Sequence, residues 1–422
     1  MTQEDMPTQK DIDILRGLAA RRIEIADDPV NRERREAWYN LDSGDGDRPM
    51  ILAEPFGIRD PNSPASTITF ECEGEWARGI EASFRNEIYQ FEVLQDDHVV
   101  EPYWNVNWHA GFASGYGVDV AWHNSDNAGI LGARRWDPAL KDIERDFDKL
   151  QHRTFKLDRE GTFAARERME KLFGDVLPVR LRGGYYWTMG LTMDLAVLVG
   201  MEEMMVAMYD KPEALHRIMA FLRDDFMAFN EWLEKEGLFN LNNENDYIGS
   251  GSLGYTRDLP QSDLKDGDPP RMKDLWVLSE SQETVGVGPE QFEEFIFPYQ
   301  VSIAEKFGKC YYGCCEPVHT RIDVLKKFPN LARVSVSPWA DEEIMARELG
   351  RDCVFSRKPK PTLISTDTFD EDAIRADIRH TLQVAGDCRV EFIMKDVHTL
   401  NNEPERLPRW VQLTRETIDE MT

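Results

Sequence analysis

The hydrophobic positions of this chain recur with two periods, and the alternation between them predicts the fold. Residues 8–40 place Ile12, Ile14, Leu15, Leu18 and Ala19 on one face of a helix with an Arg-rich remainder. Turn chemistry in Asp42-Ser43-Gly44-Asp45-Gly46-Asp47 then delivers the chain into Pro49-Met50-Ile51-Leu52, a short buried strand. Further apolar runs predict strands at 99–104, 179–186, 239–243, 275–278, 310–314, 332–336, 353–356 and 390–394. Between most of them lie periodic helical stretches such as 212–235 and 289–307, the latter with proline at an early helical position. Strand and helix in alternation predict a parallel sheet, and eight or nine such units predict a closed barrel. The expected fold is therefore α/β: a single distorted (β/α)8 TIM barrel over residues 48–422, preceded by an N-terminal helical extension over residues 1–47.

Composition narrows the function classes. The chain has 422 residues, 41% of them apolar, enough for one elaborated barrel. A net charge of −28 repels phosphate backbones and anionic headgroups, so neither nucleic acid nor a membrane surface is an expected partner. No apolar run reaches the roughly 18 residues of a membrane span; the stretch around Ala196-Val197-Leu198-Val199 is closed off by Asp194 and Glu202-Glu203. The N-terminus carries no basic, apolar secretory pattern, which leads to the expectation of a soluble, cytoplasmic protein with its six cysteines reduced. The spelling Gly249-Ser250-Gly251-Ser252-Leu253-Gly254 imitates a dinucleotide fingerprint, but Tyr-Thr-Arg-Asp-Leu-Pro follows it rather than a helix.

In a (β/α)8 barrel the chemistry sits just beyond the C-terminal ends of the strands. Those positions hold Asn105, Asn107, Trp108 and His109; Tyr185, Tyr186 and Trp187; Glu244-Asn245-Asp246; Glu280-Ser281-Gln282-Glu283; Cys314-Cys315-Glu316; Arg357-Lys358-Pro359; and Lys395-Asp396-Val397-His398. Cys314-Cys315-Glu316-Pro317-Val318-His319 packs two thiols, a carboxylate and an imidazole into six residues, a donor mixture that suits zinc. Each group also has a purely structural use: cysteines as small buried hydrophobes, His319 facing solvent, Glu244 and Glu283 as helix caps, Asp396 paired with Lys395. The rings of Tyr103, Trp104, Trp108, Phe112, Tyr116, Trp122, Tyr185, Tyr186 and Trp187 cluster around the second and third strands, as core or as a wall for a flat substrate.

Ser281-Gln282-Glu283, Pro289-Glu290-Gln291-Phe292-Glu293-Glu294-Phe295 with Pro298-Tyr299, Tyr312-Gly313-Cys314-Cys315-Glu316-Pro317, Ser335-Val336-Ser337-Pro338-Trp339-Ala340-Asp341 and Ser356-Arg357-Lys358-Pro359 together resemble the uroporphyrinogen decarboxylase superfamily. Within it they are similar to the anaerobic methyltransferase branch that works with corrinoid proteins. The resemblance covers roughly residues 48–415 and is strongest in the second half. It implies a distorted (β/α)8 barrel and, in the methyltransferase branch, zinc held by a His-x-Cys pair on the sixth strand and a cysteine near the end of the last. Cys314 stands at the cysteine position, but Tyr312 replaces the histidine, and Asp396 and His398 stand where the last cysteine would be. A mixed ligand set follows from the resemblance: Cys314, His398 and one of Glu316 or Glu283.

The expected activity is then a zinc-dependent methyltransferase. It demethylates a small methoxylated, aromatic compound and passes the methyl group to the cobalamin of a separate corrinoid protein. Glu244 or Asp396 would orient ligands or move a proton, and Tyr103, Trp108, Tyr186, Trp187 and Lys358 would hold the substrate; a homodimer is the assembly considered. A porphyrinogen decarboxylase is the alternative, but the first loop, Leu52-Ala53-Glu54-Pro55-Phe56-Gly57, is acidic and has only Arg59 nearby to receive carboxylates. A non-catalytic corrinoid or tetrapyrrole carrier is a third reading, against which stands the absence of an Asp-x-His-x-x-Gly motif.

Overall fold

Pro29 decides how the N-terminal region folds. The computed structural model describes residues 7–55, 57–63, 68–124, 134–183 and 188–421. Instead of one helix over 8–40 it shows two, α1 (Gln9–Ala26) and α2 (Pro29–Ser43). Proline has no N–H to continue the first helix but is preformed for the start of the second, and Asp28 caps that start by accepting from Val30 N at 2.8 Å. Leu15 and Ala19 of α1 pack on Ile80 and Phe84 of α3 (Glu75–Tyr89), whereas Trp38 and Leu41 of α2 pack on the sheet through Met50, Leu52, Val354 and Ile393.

Eight parallel strands follow: β1 (Met50–Ala53), β2 (Trp104–Asn107), β3 (Val179–Arg182), β4 (Trp276–Ser279), β5 (Lys309–Tyr312), β6 (Leu331–Val336), β7 (Val354–Arg357) and β8 (Arg389–Met394). Six of them form one continuous parallel sheet in the order β1-β8-β7-β6-β5-β4, and β2 and β3 pair separately. The result is a mixed α/β fold of the expected class. Among the described residues its ladder does not close into a ring.

Two predicted strands differ, and side-chain amides explain both. The 99–104 strand begins five residues late, at Trp104, because Val100 already exchanges hydrogen bonds with Asn31 (N to Oδ1 2.8 Å, O from Nδ2 2.9 Å) and Pro102 cannot donate. Residues 239–243 form no strand. The Asn242 side chain instead pairs with the edge of β4, accepting from Trp276 N at 2.8 Å and donating to Trp276 O at 3.1 Å. The predicted helix 212–235 is present as α4 (Pro212–Lys235), but 289–307 breaks into Pro289–Phe295 and Phe297–Ala304 just before Pro298. Gly249 to Gly254 forms part of a hairpin, Tyr247–Gly249 against Ser252–Leu253, and opens no helix.

Alternation along the strands gives the sheet two faces. Cys310, Tyr312, Val334, Val336, Phe355, Phe392 and Met394 join the main core with α4 and the other helices. The opposite face is polar and still buried: Tyr311, Arg333, Ser335, Ser356 and Glu391 are each 0% exposed. Its charges are matched internally. Arg333 reaches Glu391 at 3.2 Å, Asp42 of α2 at 3.4 Å and the Ser252 hydroxyl of the hairpin at 2.6 Å.

Candidate active site

The C-terminal ends of β1, β4, β5, β7 and β8 bring Glu54, Glu280, Cys314, Lys358 and Lys395 to one edge of the sheet. Glu316 holds the edge together. Fully buried, it accepts from Ser281 N at 2.9 Å through Oε1 and from Cys314 N at 2.8 Å through Oε2, tying the turn after β4 to the turn after β5. Burial raises its carboxyl above the usual range, while these backbone N–H groups pull it back. A second tie lies beneath. Gln300 donates to the carbonyls of Gly190 and Glu280 at 2.7 and 2.9 Å and accepts from the Tyr312 hydroxyl at 3.0 Å, and that hydroxyl lies 2.8 Å from Ser281 Oγ.

Glu280 is the group the strand-end reading passed over in favour of its neighbour Glu283. It is 0% exposed; Oε2 accepts from Gln282 N at 3.0 Å, and Oε1 is buried with no hydrogen-bond partner among the described residues. Burial, then the nearby Glu283, Glu316 and Cys314, push its carboxyl up to about 9. At neutral pH it is an acid with an O–H to give. Across the edge, Lys395 stays cationic: burial works against its charge, but Glu54, Asp396 and Cys314 outweigh it. Burial also raises Glu54, whose carboxylate lies so close to Gly251 that a Cβ there would come 2.7 Å from Oε1; the φ of Gly251, +87°, already suits glycine.

The thiols are adjacent in sequence and in space. Cys314 is buried, Cys315 is exposed, their Sγ atoms lie 3.6 Å apart, and Cys315 Sγ lies 3.8 Å from Asp396 Oδ2. All six cysteines are free. The shared S–H, and then burial, raise Cys314; the same contact lowers Cys315, so Cys315 is the more readily ionised of the two. Lys358 is 2% exposed, with Nζ 2.5 Å from Ser356 Oγ, 3.0 Å from Ser356 O and 3.1 Å from the Tyr311 hydroxyl. Burial lowers it to about 7, with Lys395 adding to the shift and Glu391 opposing it.

The residues expected from sequence therefore separate. Cys314, Glu316, Lys358 and Asp396 meet at this edge. Glu283 is near it, accepting from Thr192 Oγ1 at 2.7 Å. His398 is exposed, with its carbonyl accepting from Arg59 N at 3.0 Å. Glu244 lies elsewhere, with Tyr39, Arg182 and Tyr255 as electrostatic neighbours. Of the four expected zinc ligands, Glu316 accepts backbone N–H groups at both oxygens and Glu283 accepts from Thr192 Oγ1. Among the described residues no group of three or more His, Cys, Asp or Glu side chains is arranged to hold a metal ion.

Three of the aromatic residues are engaged in ring packing or a hydrogen bond. Trp104 packs between Phe84 and Phe173, Phe112 lies 4.3 Å from Phe229 of α4, and Tyr116 donates to Asp194 at 2.9 Å. Of the expected substrate holders, Tyr103 lies under the Arg180 guanidinium at 3.9 Å and Trp108 under that of Arg159 at 5.6 Å, whereas Tyr186 and Trp187 fall outside the described residues. One pairing that strand-end reasoning missed lies beside β1: His98 Nδ1 is 3.1 Å from Asp96 Oδ2, which also accepts from Ala53 N at 2.9 Å. Burial lowers His98, but Asp96 more than compensates and raises it. The dipeptide Asp-Asp before this histidine was its only signal.

No family model and no curated protein sequence matches the chain. Among solved structures, a methyltransferase from Methanosarcina mazei is similar over 92% of this chain and 98% of its own, with a TM-score of 0.50 and 11% identity. At that identity the likeness is one of fold.

Proposed function

We propose that the chain is a methyltransferase that removes the methyl group of a small methoxylated arene at this sheet edge. The observation that carries the reading is Glu280, a buried carboxyl kept protonated at neutral pH, with one oxygen unpartnered among the described residues, near Cys314 and across from cationic Lys395. An aryl methyl ether gives up its methyl group only if charge developing on the departing oxygen is met. Glu280 gives its proton to that oxygen while Lys395 stabilises the charge before transfer, so the aryl group leaves as a neutral phenol. A reduced corrinoid on a separate protein supplies the nucleophile that takes the methyl group. Glu280 and Lys395 both neighbour Cys314, the residue at the position the resemblance gives to a zinc-binding cysteine. The fold shared with a protein described as a methyltransferase supports the same reading.

The test mixes the purified chain with methoxybenzenes, a corrinoid protein and a low-potential reductant, and follows phenol and methylated corrinoid together. One phenol per methyl transferred is the expected result. General acids contribute about 10²- to 10⁴-fold, so Glu280→Gln should slow transfer within that range. Folded protein that transfers no methyl group from any member of the panel overturns the proposal.

A further inference from the structure

The methyl-transfer step proposed above leaves the Cys314–Cys315 pair without a role. Successive side chains of an extended backbone point to opposite faces, yet these two sulfurs lie on the same side, 3.6 Å apart. Gly313, at φ +98°, turns the chain ahead of them. The turn is then pinned on both sides of Cys314: its N–H donates to Glu316 Oε2 at 2.8 Å, and its carbonyl accepts from Ser335 Oγ at 2.8 Å.

The separation of the sulfurs decides what the pair suits. A disulfide needs about 2.05 Å between sulfurs and would have to pull a pinned turn inward by about 1.5 Å. Two sulfurs on one thiophilic atom, with bonds of about 2.3 Å and angles of about 100–109°, sit about 3.5–3.8 Å apart. The observed distance matches the second case without movement.

We propose that Cys314 and Cys315 form a bidentate site for a trivalent arsenical of the type R–As(OH)2, independent of the methyl-transfer reading. Two As–S bonds replace two As–O bonds, both thiol protons leave with the hydroxyls as two waters, and no electron changes hands. Asp396, 3.8 Å from Cys315 Sγ, is placed to take the first proton and return it to the departing hydroxyl. Exposed Cys315 makes the first bond, and Cys314 closes the ring from beneath.

Phenylarsine oxide is the probe, added to the reduced full-length chain, with intact mass as the readout. One arsenical should bind per chain, persist in excess mercaptoethanol about 100-fold longer than a single-thiol adduct, and leave on addition of dithiothreitol. Cys314→Ser and Cys315→Ser, each checked for folding by circular dichroism, should retain none. Three results overturn the site: no adduct on the wild type, an adduct stripped by mercaptoethanol, or one retained in either serine variant, which would place it on another pair such as Cys310 and Cys353.

Discussion

At the scale of single residues, two neighbouring carboxylates show how environment overrides type. Glu280 and Glu283 follow the same strand, but Glu283 has the Thr192 hydroxyl as partner while Glu280 has an oxygen unpartnered among the described residues and several acidic neighbours. Its carboxyl is raised from 4.5 to about 9, so the acid form persists at neutral pH and is lost as pH rises through about 9. Methyl transfer should therefore fall on that alkaline limb, and Glu280→Gln should flatten it; rate profiles across pH check this. The same sign governs stability. The raised group favours the folded state below about 4.5, a contribution lost as pH climbs to about 9, so Glu280→Gln should be less pH-dependent in urea unfolding. Which carboxylate would be orphaned was not legible in Glu280-Ser281-Gln282-Glu283, because it depends on packing from residues 190 and 316, distant in sequence.

Among elements, the turns after β4 and β5 are joined by one side chain. Glu316→Ala leaves the N–H groups of Ser281 and Cys314 without acceptors, and at about 1–3 kcal/mol each the expected loss is about 2–6 kcal/mol in chemical denaturation. Glu316→Gln, which keeps one acceptor, should lose less. Placing Cys314, Lys358 and Asp396 at one edge was legible, since strand ends in a parallel sheet share an edge. Strand type was readable where β-branched and apolar runs dominate, as in β6 and β8. It failed at 239–243, where Asn242 imitates a ladder partner with its side chain, a role that no periodicity marks.

For the whole molecule, Arg333 joins α2, β6, β8 and the 247–253 hairpin from a position with no exposure. Arg333→Ala leaves Glu391 buried without its cation and should cost about 3–5 kcal/mol, read as a lower urea midpoint. Composition and alternation made the α/β class legible, and the proline at 29 marks the break in the N-terminal region. The charge network was not legible, because its members are spread over most of the sequence and each reads alone as a surface residue.

The Asp42–Arg333 contact spans 291 positions. On a ribosome adding about 5–20 residues per second, α2 waits on the order of 15–60 seconds before β6 emerges, and longer for the β8 surface that covers Trp38. Throughout that interval the apolar face of α2 lacks the Val354 and Ile393 part of its seat, so newborn chains need shielding long before the active edge exists. A strand near the end of the chain completes the seat of its second helix.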